Sequence, residues 1–199
     1  MTPSPFATSR IAVTATLALL ALAACNSAAD SDAPPPPPAD QVVAPAAPEP
    51  KLAIEGEGLR LFNAETGSAR PIAFGTPKAQ VIAALAFRGA PALGTNEECG
   101  AGPLGYANWP DGLGLLFDGD KFAGWSLDGR DEGADKLTTA SGVGIGSTRA
   151  EVADSLAITV EESTLGTEFA ADDLGGLFDG KGSDAKVTNL WAGVTCVFR

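Results

Sequence analysis

An internal repeat constrains the fold of this 199-residue chain more than any other feature of its sequence. Residues 75–85 read Gly-Thr-Pro-Lys-Ala-Gln-Val-Ile-Ala-Ala-Leu, and residues 146–156 read Gly-Ser-Thr-Arg-Ala-Glu-Val-Ala-Asp-Ser-Leu. The two segments align without a gap, and four positions are identical. Two shorter blocks and a tryptophan follow in the same order in both copies: Leu-Gly-Thr (93–95 and 165–167), Leu-Phe-Asp-Gly (116–119 and 177–180), and Trp125 or Trp191. Preserved order over several blocks predicts a duplicated structural unit.

Each copy of the unit is predicted to begin with a short helix. Thr76 and Ser147 occupy N-cap positions, and Pro77 stands at the first helical position of the first copy. The second copy offers two candidate caps, Ser147 or Thr148, and Thr148 with Glu151 has the spacing of a capping box.

Strands are predicted around these helices. They are residues 58–62 and 69–74 as a hairpin about Glu65-Thr-Gly67, residues 113–117 and 121–127 as a hairpin about Asp118-Gly-Asp120, residues 174–178 and 186–198 joined by a looser turn, and residues 138–145. Together these elements predict an α+β fold in which short helices pack on an antiparallel sheet. We expect one globular domain over residues 51–199, made of two repeats at about 51–130 and 135–199.

The repeat resembles a known family. A Gly-Thr/Ser start, a short helix with Val then Leu, a Gly-rich stretch and a Trp-bearing hairpin are similar to the repeat of β-lactamase-inhibitor-like proteins. The small outer-membrane assembly lipoproteins of the SmpA/OmlA type carry one copy of a similar unit. The resemblance covers about residues 72–127 and 143–198, and it implies a helix pair on an antiparallel sheet that binds proteins without chemistry. The chain departs from the family pattern in residues 100–105 and around Lys181, so no functional residue is carried over.

The first 24 residues are predicted to be a signal peptide. One cation, Arg10, precedes an apolar run over residues 11–24 that is too short for a comfortable membrane span. The run ends in Leu-Ala-Ala-Cys25, which resembles the bacterial lipobox, in which the cysteine thiol receives a diacylglycerol. The alternative is an ordinary signal peptide with an incidental cysteine. In enterobacterial lipoproteins an Asp after the cysteine often marks retention in the inner membrane, and here Asn26 follows Cys25. The resemblance therefore implies the periplasmic face of the outer membrane rather than the inner membrane.

Residues 25–50 are predicted to be the lipidated cysteine and a Pro-rich, disordered tether. Eight prolines lie within residues 26–50, five of them consecutive at 34–38. Proline donates no backbone hydrogen bond and favours stiff polyproline II, which rises about 3.1 Å per residue. We therefore interpret this segment as a stalk that holds the domain away from the membrane.

Composition excludes several kinds of function. Lys and Arg number 13 against 25 Asp and Glu, so the formal charge is −12, and it becomes −13 when residues 1–24 are removed with Arg10 and no acid. Such a chain is repelled by nucleic-acid phosphates, so we predict no nucleic-acid partner and membrane contact only through the lipid. The chain has no His, which removes Ser-His and Cys-His pairs and the commonest zinc ligand. We predict no catalytic residue, no metal and no cofactor.

Two cysteines remain when Cys25 carries lipid. Cys99 and Cys196 are predicted to form a disulfide, because thiols in an oxidising compartment usually pair. The alternative is two free buried thiols. Catalysis by Cys99 is disfavoured because the neighbouring Glu97 and Glu98 would raise the pKa of its thiol.

A partner contact is predicted at Tyr106 and Trp109, which fall in a presumed loop with polar neighbours. The alternative is that these residues cover one end of the core. Trp125 and Trp191, on the repeated strands, are interpreted as core residues.

The sequence therefore predicts a non-catalytic envelope lipoprotein that acts as a protein-interaction module, with a basic envelope protein as its expected partner. A small-ligand or calcium-binding lipoprotein is the first alternative, since Asp118, Asp120, Asp179 and Asp184 lie in turns. Asp-Gly turns form equally well without metal. A hydrolase is the second alternative.

The lipid anchor can be tested directly. Replacing Cys25 with Ser removes the thiol that accepts the diacylglycerol, so the protein should move from the membrane to the soluble fraction on cell fractionation. The reference is a Cys99→Ser variant, which keeps Cys25 and should stay in the membrane. Unchanged membrane retention of Cys25→Ser would contradict the lipobox interpretation.

Overall fold

The structure, a computed structural model, describes residues 48–196, and β-strands dominate this part of the chain. It contains eleven strands in two antiparallel sheets and two α-helices of seven residues each. The elements in chain order are β1 Lys51–Glu55, β2 Gly58–Phe62, β3 Ala69–Ala73, α1 Lys78–Ala84, β4 Ala92–Asn96, β5 Leu104–Asn108, β6 Leu113–Asp118, β7 Lys121–Asp128, α2 Arg149–Ser155, β8 Thr159–Ser163, β9 Gly166–Ala171, β10 Leu174–Phe178 and β11 Val187–Gly193. Two short 3₁₀ turns lie at Ala86–Arg88 and Ala134–Lys136.

The larger sheet consists of two meanders joined through their last strands. Its strand order is β4-β5-β6-β7-β11-β10-β9-β8, so β7 and β11 are neighbours in its centre. They run antiparallel, with Leu127 opposite Leu190. The order of a helix followed by four consecutive strands occurs twice, as α1 with β4–β7 and as α2 with β8–β11. The smaller sheet, β1-β2-β3, precedes the first of these sets.

The expected α+β fold with helices packed on a sheet is wrong, because the described chain is mostly β. Each helix has only about two turns at 3.6 residues per turn, whereas β4, β5, β8 and β9 form in segments for which no strand was predicted. β4 and β5 are rich in Gly and Ala and lack the regular alternation that signals a strand. Pairing with neighbouring strands outweighs weak local propensity in these segments.

The predicted hairpins are present. β2 pairs with β3 and β6 pairs with β7, each within a residue of the expected bounds. The last strand, β11, is shorter than the predicted 186–198. Residues 138–145 form only isolated bridges, which join Thr138 to Gly144 and to Ala53.

The hydrophobic core lies between the smaller sheet and one face of the larger sheet. Ile54 and Ile72 of the smaller sheet are buried in the same cluster as Trp125 and Leu127 of the larger sheet. The indole Nε1 of Trp125 donates a hydrogen bond of 2.8 Å to the carbonyl oxygen of Glu55, which links the two sheets. Burial of each large apolar side chain stabilises the fold by about 1.5–3 kcal/mol. The helices add Val81, Leu85 and Val152 to this core.

The two helices begin differently. α1 has Pro77 as its N-cap, without a side-chain cap, so the placement of Pro77 inside the helix and Thr76 as its cap is wrong by one residue. Thr76 Oγ1 instead donates to the carbonyl of Ala73 at 2.7 Å. α2 has the capping box that was one of its two predicted starts: Thr148 Oγ1 accepts from Glu151 N, and Glu151 Oε2 accepts from Thr148 N at 2.7 Å. The hydrogen bonds that the Glu151 carboxylate accepts from Thr148 N and, at 2.9 Å, from Thr148 Oγ1 hold the pKa of Glu151 below its ordinary value of 4.5.

The capping box gives a stability prediction. Thr148→Ala should lower the free energy of unfolding by about 1 kcal/mol, measured by urea denaturation at neutral pH. The control is Ser155→Ala, at the exposed other end of α2, which should not lower the free energy of unfolding.

The same box predicts a pH dependence. A carboxyl whose pKa is lowered by folding stabilises the fold above its unfolded-state pKa, and this contribution is lost as the pH falls through its folded-state pKa. The deficit of Thr148→Ala should therefore be smaller at an acidic pH, below the folded-state pKa of Glu151, than at neutral pH. A deficit equal at both pH values would contradict the role of Glu151.

Candidate interaction surface

The second face of the larger sheet turns away from the smaller sheet, and we call it the open face. Successive side chains of a strand point to opposite faces, so the neighbours of core residues point to the open face. Tyr106 of β5 lies opposite Leu116 of β6, and Ser126 of β7 lies opposite Trp191 of β11. Ser126 is exposed and the other three are half-buried.

Glycines on adjacent strands allow two aromatic rings to lie along the open face. A Cβ atom at Gly94 of β4 would collide with the phenol of Tyr106, and one at Gly175 of β10 would collide with the indole of Trp191. Each ring therefore covers backbone where a side chain would otherwise stand. The strands β5 and β11 that carry the rings are three strand positions apart, which is about 14 Å at normal strand spacing.

Two hollows lie on the open face beside these rings. The larger, of about 640 Å³, is lined by Tyr106, Asn108, Leu116 and Ser126, with Glu97 and Glu98 among its other walls. The smaller, of about 240 Å³, lies beside Trp191 and is lined by Glu161 and Glu168. Among the described residues that line either hollow, every charged side chain is a glutamate.

The two glutamates of the smaller hollow face each other across strands β8 and β9. Glu161 is exposed, whereas Glu168 is only 4% exposed. Glu168 Oε1 accepts a hydrogen bond of 2.5 Å from Ser163 Oγ. A basic group of a partner would be attracted to the carboxylates of this hollow.

One cation lies near the open face and is engaged by a neighbour. Arg130 donates to both carboxylate oxygens of Asp128, with Nε distances of 3.0 and 3.1 Å. This contact holds the pKa of Asp128 below its ordinary value and raises that of Arg130. Asp128 also interacts with Asn189, its partner in register on β11.

The prediction that Trp109 is exposed and contacts a partner together with Tyr106 is wrong for Trp109. Trp109 is 4% exposed and belongs to the core, where its Nε1 donates to the carbonyl of Gly89 at 3.1 Å. Residues three apart on an extended chain point to opposite faces, so Tyr106 and Trp109 cannot share one surface. The alternative interpretation, in which Trp109 packs on the core, agrees with its burial.

Trp191 was expected in the core and lies instead on the open face. Trp125 is fully buried, but its partner in register is Ala192, not Trp191. The two tryptophans are therefore offset by one residue, and a one-residue offset moves a side chain to the other face of a sheet. Alternation along the segment Leu190 to Ala192 is the signal that could have shown this.

The Cys99–Cys196 disulfide forms part of the wall of the larger hollow. The structure bonds the two sulfur atoms, with the Cα atoms 5.0 Å apart. After β11 the chain crosses the open face above Gly124, where a Cβ atom would collide with the backbone of Val194. Val194 N donates to the carbonyl of Ala123 at 2.9 Å. Thr195 and Cys196 then line the hollow.

The other predicted features are the aspartate turns, the lipidated cysteine and the signal peptide. Asp179 Oδ1 accepts a hydrogen bond from Lys186 N at 2.7 Å, as in an ordinary turn. Within residues 48–196 there is no group of three or more Cys, Asp or Glu that could hold a metal ion. Cys25 and the signal peptide lie outside the described residues. No helix of the described part is long and apolar enough to cross a membrane.

The disulfide can be tested by thiol labelling. A maleimide applied to the unfolded, unreduced protein should label neither Cys99 nor Cys196, and both should label after reduction. The double variant Cys99→Ser with Cys196→Ser should lose up to about 4.7 kcal/mol of unfolding free energy in the loop-entropy model, since the bond closes a loop of nearly 100 residues. Ready labelling of both cysteines without reductant would contradict the pairing.

Comparison of the chain with protein family models gave no match, and comparisons with curated proteins and with solved structures gave none that is significant. The resemblance of the repeat to β-lactamase-inhibitor-like proteins and to SmpA/OmlA-type lipoproteins therefore stays a prediction.

Proposed function

We propose that this protein is a non-catalytic cell-envelope lipoprotein whose domain binds another envelope protein through the open face. The observation that carries the proposal is the acidic, aromatic surface of that face, with Tyr106 and Trp191 beside hollows whose charged walls are glutamates. The lipid on Cys25 holds the protein to the periplasmic face of the outer membrane, and the Pro-rich segment is its stalk.

The aromatic side chains supply contact area. Tyrosine and tryptophan are enriched among the residues that dominate binding energy, because their rings bury a large area and lose few rotamers. Tyr106 and Trp191 are half-buried, and each ring lies close to a glycine of the neighbouring strand, where a Cβ atom would collide with it. Such pre-positioned rings bind at a low entropic cost.

The charges indicate the chemistry of the partner. Glu97 and Glu98 are exposed at the larger hollow, and Glu161 and Glu168 line the smaller one. The chain as a whole carries a formal charge of −12, which favours encounter with basic surfaces and disfavours acidic ones. The partner surface is therefore basic, and binding weakens as salt screens these charges.

The side chains of the open face support binding rather than catalysis. Ser126 presents an exposed hydroxyl there, but the chain has no His that could act as its base. Asp128, two residues further along β7, already accepts hydrogen bonds from Arg130. A base within hydrogen-bond reach of the nucleophile is the usual requirement for acyl or glycosyl transfer by a serine.

Cross-linking in the native cell tests the surface. A photo-reactive residue placed at Ser126, in the middle of the open face, should give a cross-linked protein adduct, and the same residue at Thr66, in the exposed β2–β3 turn, should not. Mass spectrometry of the adduct identifies the partner. Equal adducts at both positions would contradict a specific open-face contact.

The aromatic contribution is tested in the same cells. Tyr106→Ala with Trp191→Ala should lower the adduct yield at Ser126 at least tenfold, because hot-spot truncation costs about 2 kcal/mol or more. Phe62→Ala, a half-buried ring on the smaller sheet, is the matched control. An undiminished yield with a folded double variant would reject this surface, and turnover of an ester or glycoside substrate would reject the non-catalytic class.

A further inference from the structure

One edge of the larger sheet is unprotected. β4 is an edge strand whose register with β5 runs from Ala92 to Asn96 without a shift. β4 contains no charged residue and no proline. No backbone hydrogen bond joins it to any described residue outside β5. Every second residue of an edge strand directs its N–H and C=O away from the sheet, so β4 presents a free row of donors and acceptors.

The other edges carry the features by which proteins prevent strand addition. β8 has the exposed Glu161 and Glu162, and Lys181 bridges to Glu162 at 3.1 Å. β3 contains Arg70 and Pro71. The edge of β1 is partly covered, since Ile54 N donates to the carbonyl of Thr138 at 3.1 Å. Charges, proline and covering segments are the usual protections of sheet edges, and β4 has none of them.

Side chains at β4 favour an added strand. Leu93 is 57% exposed, and it and Val194 are the exposed large apolar residues of the described chain. On the open face, the phenol of Tyr106 lies over Gly94, so the ring reaches this edge. A strand paired with β4 would cover Leu93 on one face and contact Tyr106 on the other.

We infer that the partner docks by adding an extended, basic segment to β4, as a ninth strand of the larger sheet. This inference rests on the proposed function and specifies how the same partner binds. Backbone hydrogen bonds to β4 would supply affinity, and alternate side chains would supply specificity. The exposed Glu97 and Glu98 directly follow β4 and set the charge of the segment that fits there.

Charge and backbone chemistry argue against two other segments that could pair with β4, the Pro-rich segment of this chain and a second copy of it. The stalk of this chain has eight prolines in residues 26–50, so it lacks the backbone donors that strand pairing needs. A second copy carries the same formal charge of −12 and the same glutamates after β4, so two copies repel each other.

The experiment uses the full-length chain purified in non-ionic detergent, with a fluorescent peptide of alternating Lys and Val as the probe. A second peptide has the same side chains but N-methyl groups on all internal amides, which removes the donors and keeps the charge. Strand addition predicts at least tenfold weaker binding of the methylated peptide, by fluorescence anisotropy. It also predicts slower hydrogen exchange of β4 amides, but not of β8 amides, when the unmethylated peptide is bound.

Matched variants locate the contact. Leu93→Lys places a charge on β4 and should weaken binding of the unmethylated peptide at least tenfold. Ala69→Lys makes the same charge change at an exposed position of β3, the edge strand of the smaller sheet, and should alter binding at most about twofold. Circular dichroism checks that both variants fold, and the methylated peptide tests the inference without any variant.

Four results would overturn the inference: equal affinity for the two peptides, protection of β8 instead of β4, equal loss in the two Lys variants, or a dimer that Leu93→Lys dissociates. The proposed function fails separately, through an absent or unspecific adduct at Ser126. If the Ser126 adduct depends on Tyr106 and Trp191 while both peptides bind equally, the open-face function stands and the strand-addition inference is rejected.

Discussion

The pairing of β7 with β11 is the interaction on which the rest of the structure depends. Five residue pairs, from Asn189 opposite Asp128 to Gly193 opposite Gly124, join two four-stranded meanders into one sheet. Each meander pairs its last strand on one side only, with β6 or β10. The pairing of β7 with β11 therefore satisfies the backbone donors and acceptors on the other side of both strands. It also brings the fully buried Leu127 and Leu190 together, in the middle of the face that the smaller sheet and the helices cover.

The same ladder decides what the other face presents. Because side chains alternate along a strand, the register that buries Trp125 and Ala192 turns Ser126 and Trp191 outward. Gly94 and Gly175 belong to the same face, because a Cβ atom at either position would collide with the ring of Tyr106 or of Trp191. A chain that merely closed its core would have no need for rings held above glycine, which costs backbone entropy in a strand. The uncovered face is thus built with specific side chains, and this is why binding is the function it supports best.

Sequence reasoning succeeded where local chemistry decides the structure. The Asp118-Gly-Asp120 turn predicted the β6–β7 hairpin, and the spacing of Thr148 and Glu151 predicted the capping box as one of two possibilities. It failed where long-range pairing decides. β4 and β5 are strands because each has a neighbour to bond with, although their Gly- and Ala-rich sequences have little strand propensity of their own. Trp109 was assigned to a surface because its segment was taken as a polar loop, whereas it is buried in the core. Trp191 was assigned to the core because a single-residue register cannot be read from a block alignment.

The disulfide has a mechanical consequence if, as we propose, the domain is anchored through its N-terminal segment. Tension applied from that side would enter the described fold next to Lys51, at β1. The bond between Cys99 and Cys196 closes a 97-residue separation, so that length of chain cannot be drawn out; extended, it would measure roughly 330 Å. Only the part from β1 to β4 can unravel, while β5 to β11 stay inside the covalent loop. A force strong enough to unfold the smaller sheet would therefore expose the core side of the larger sheet. Most of the larger sheet would stay within the loop that the disulfide closes.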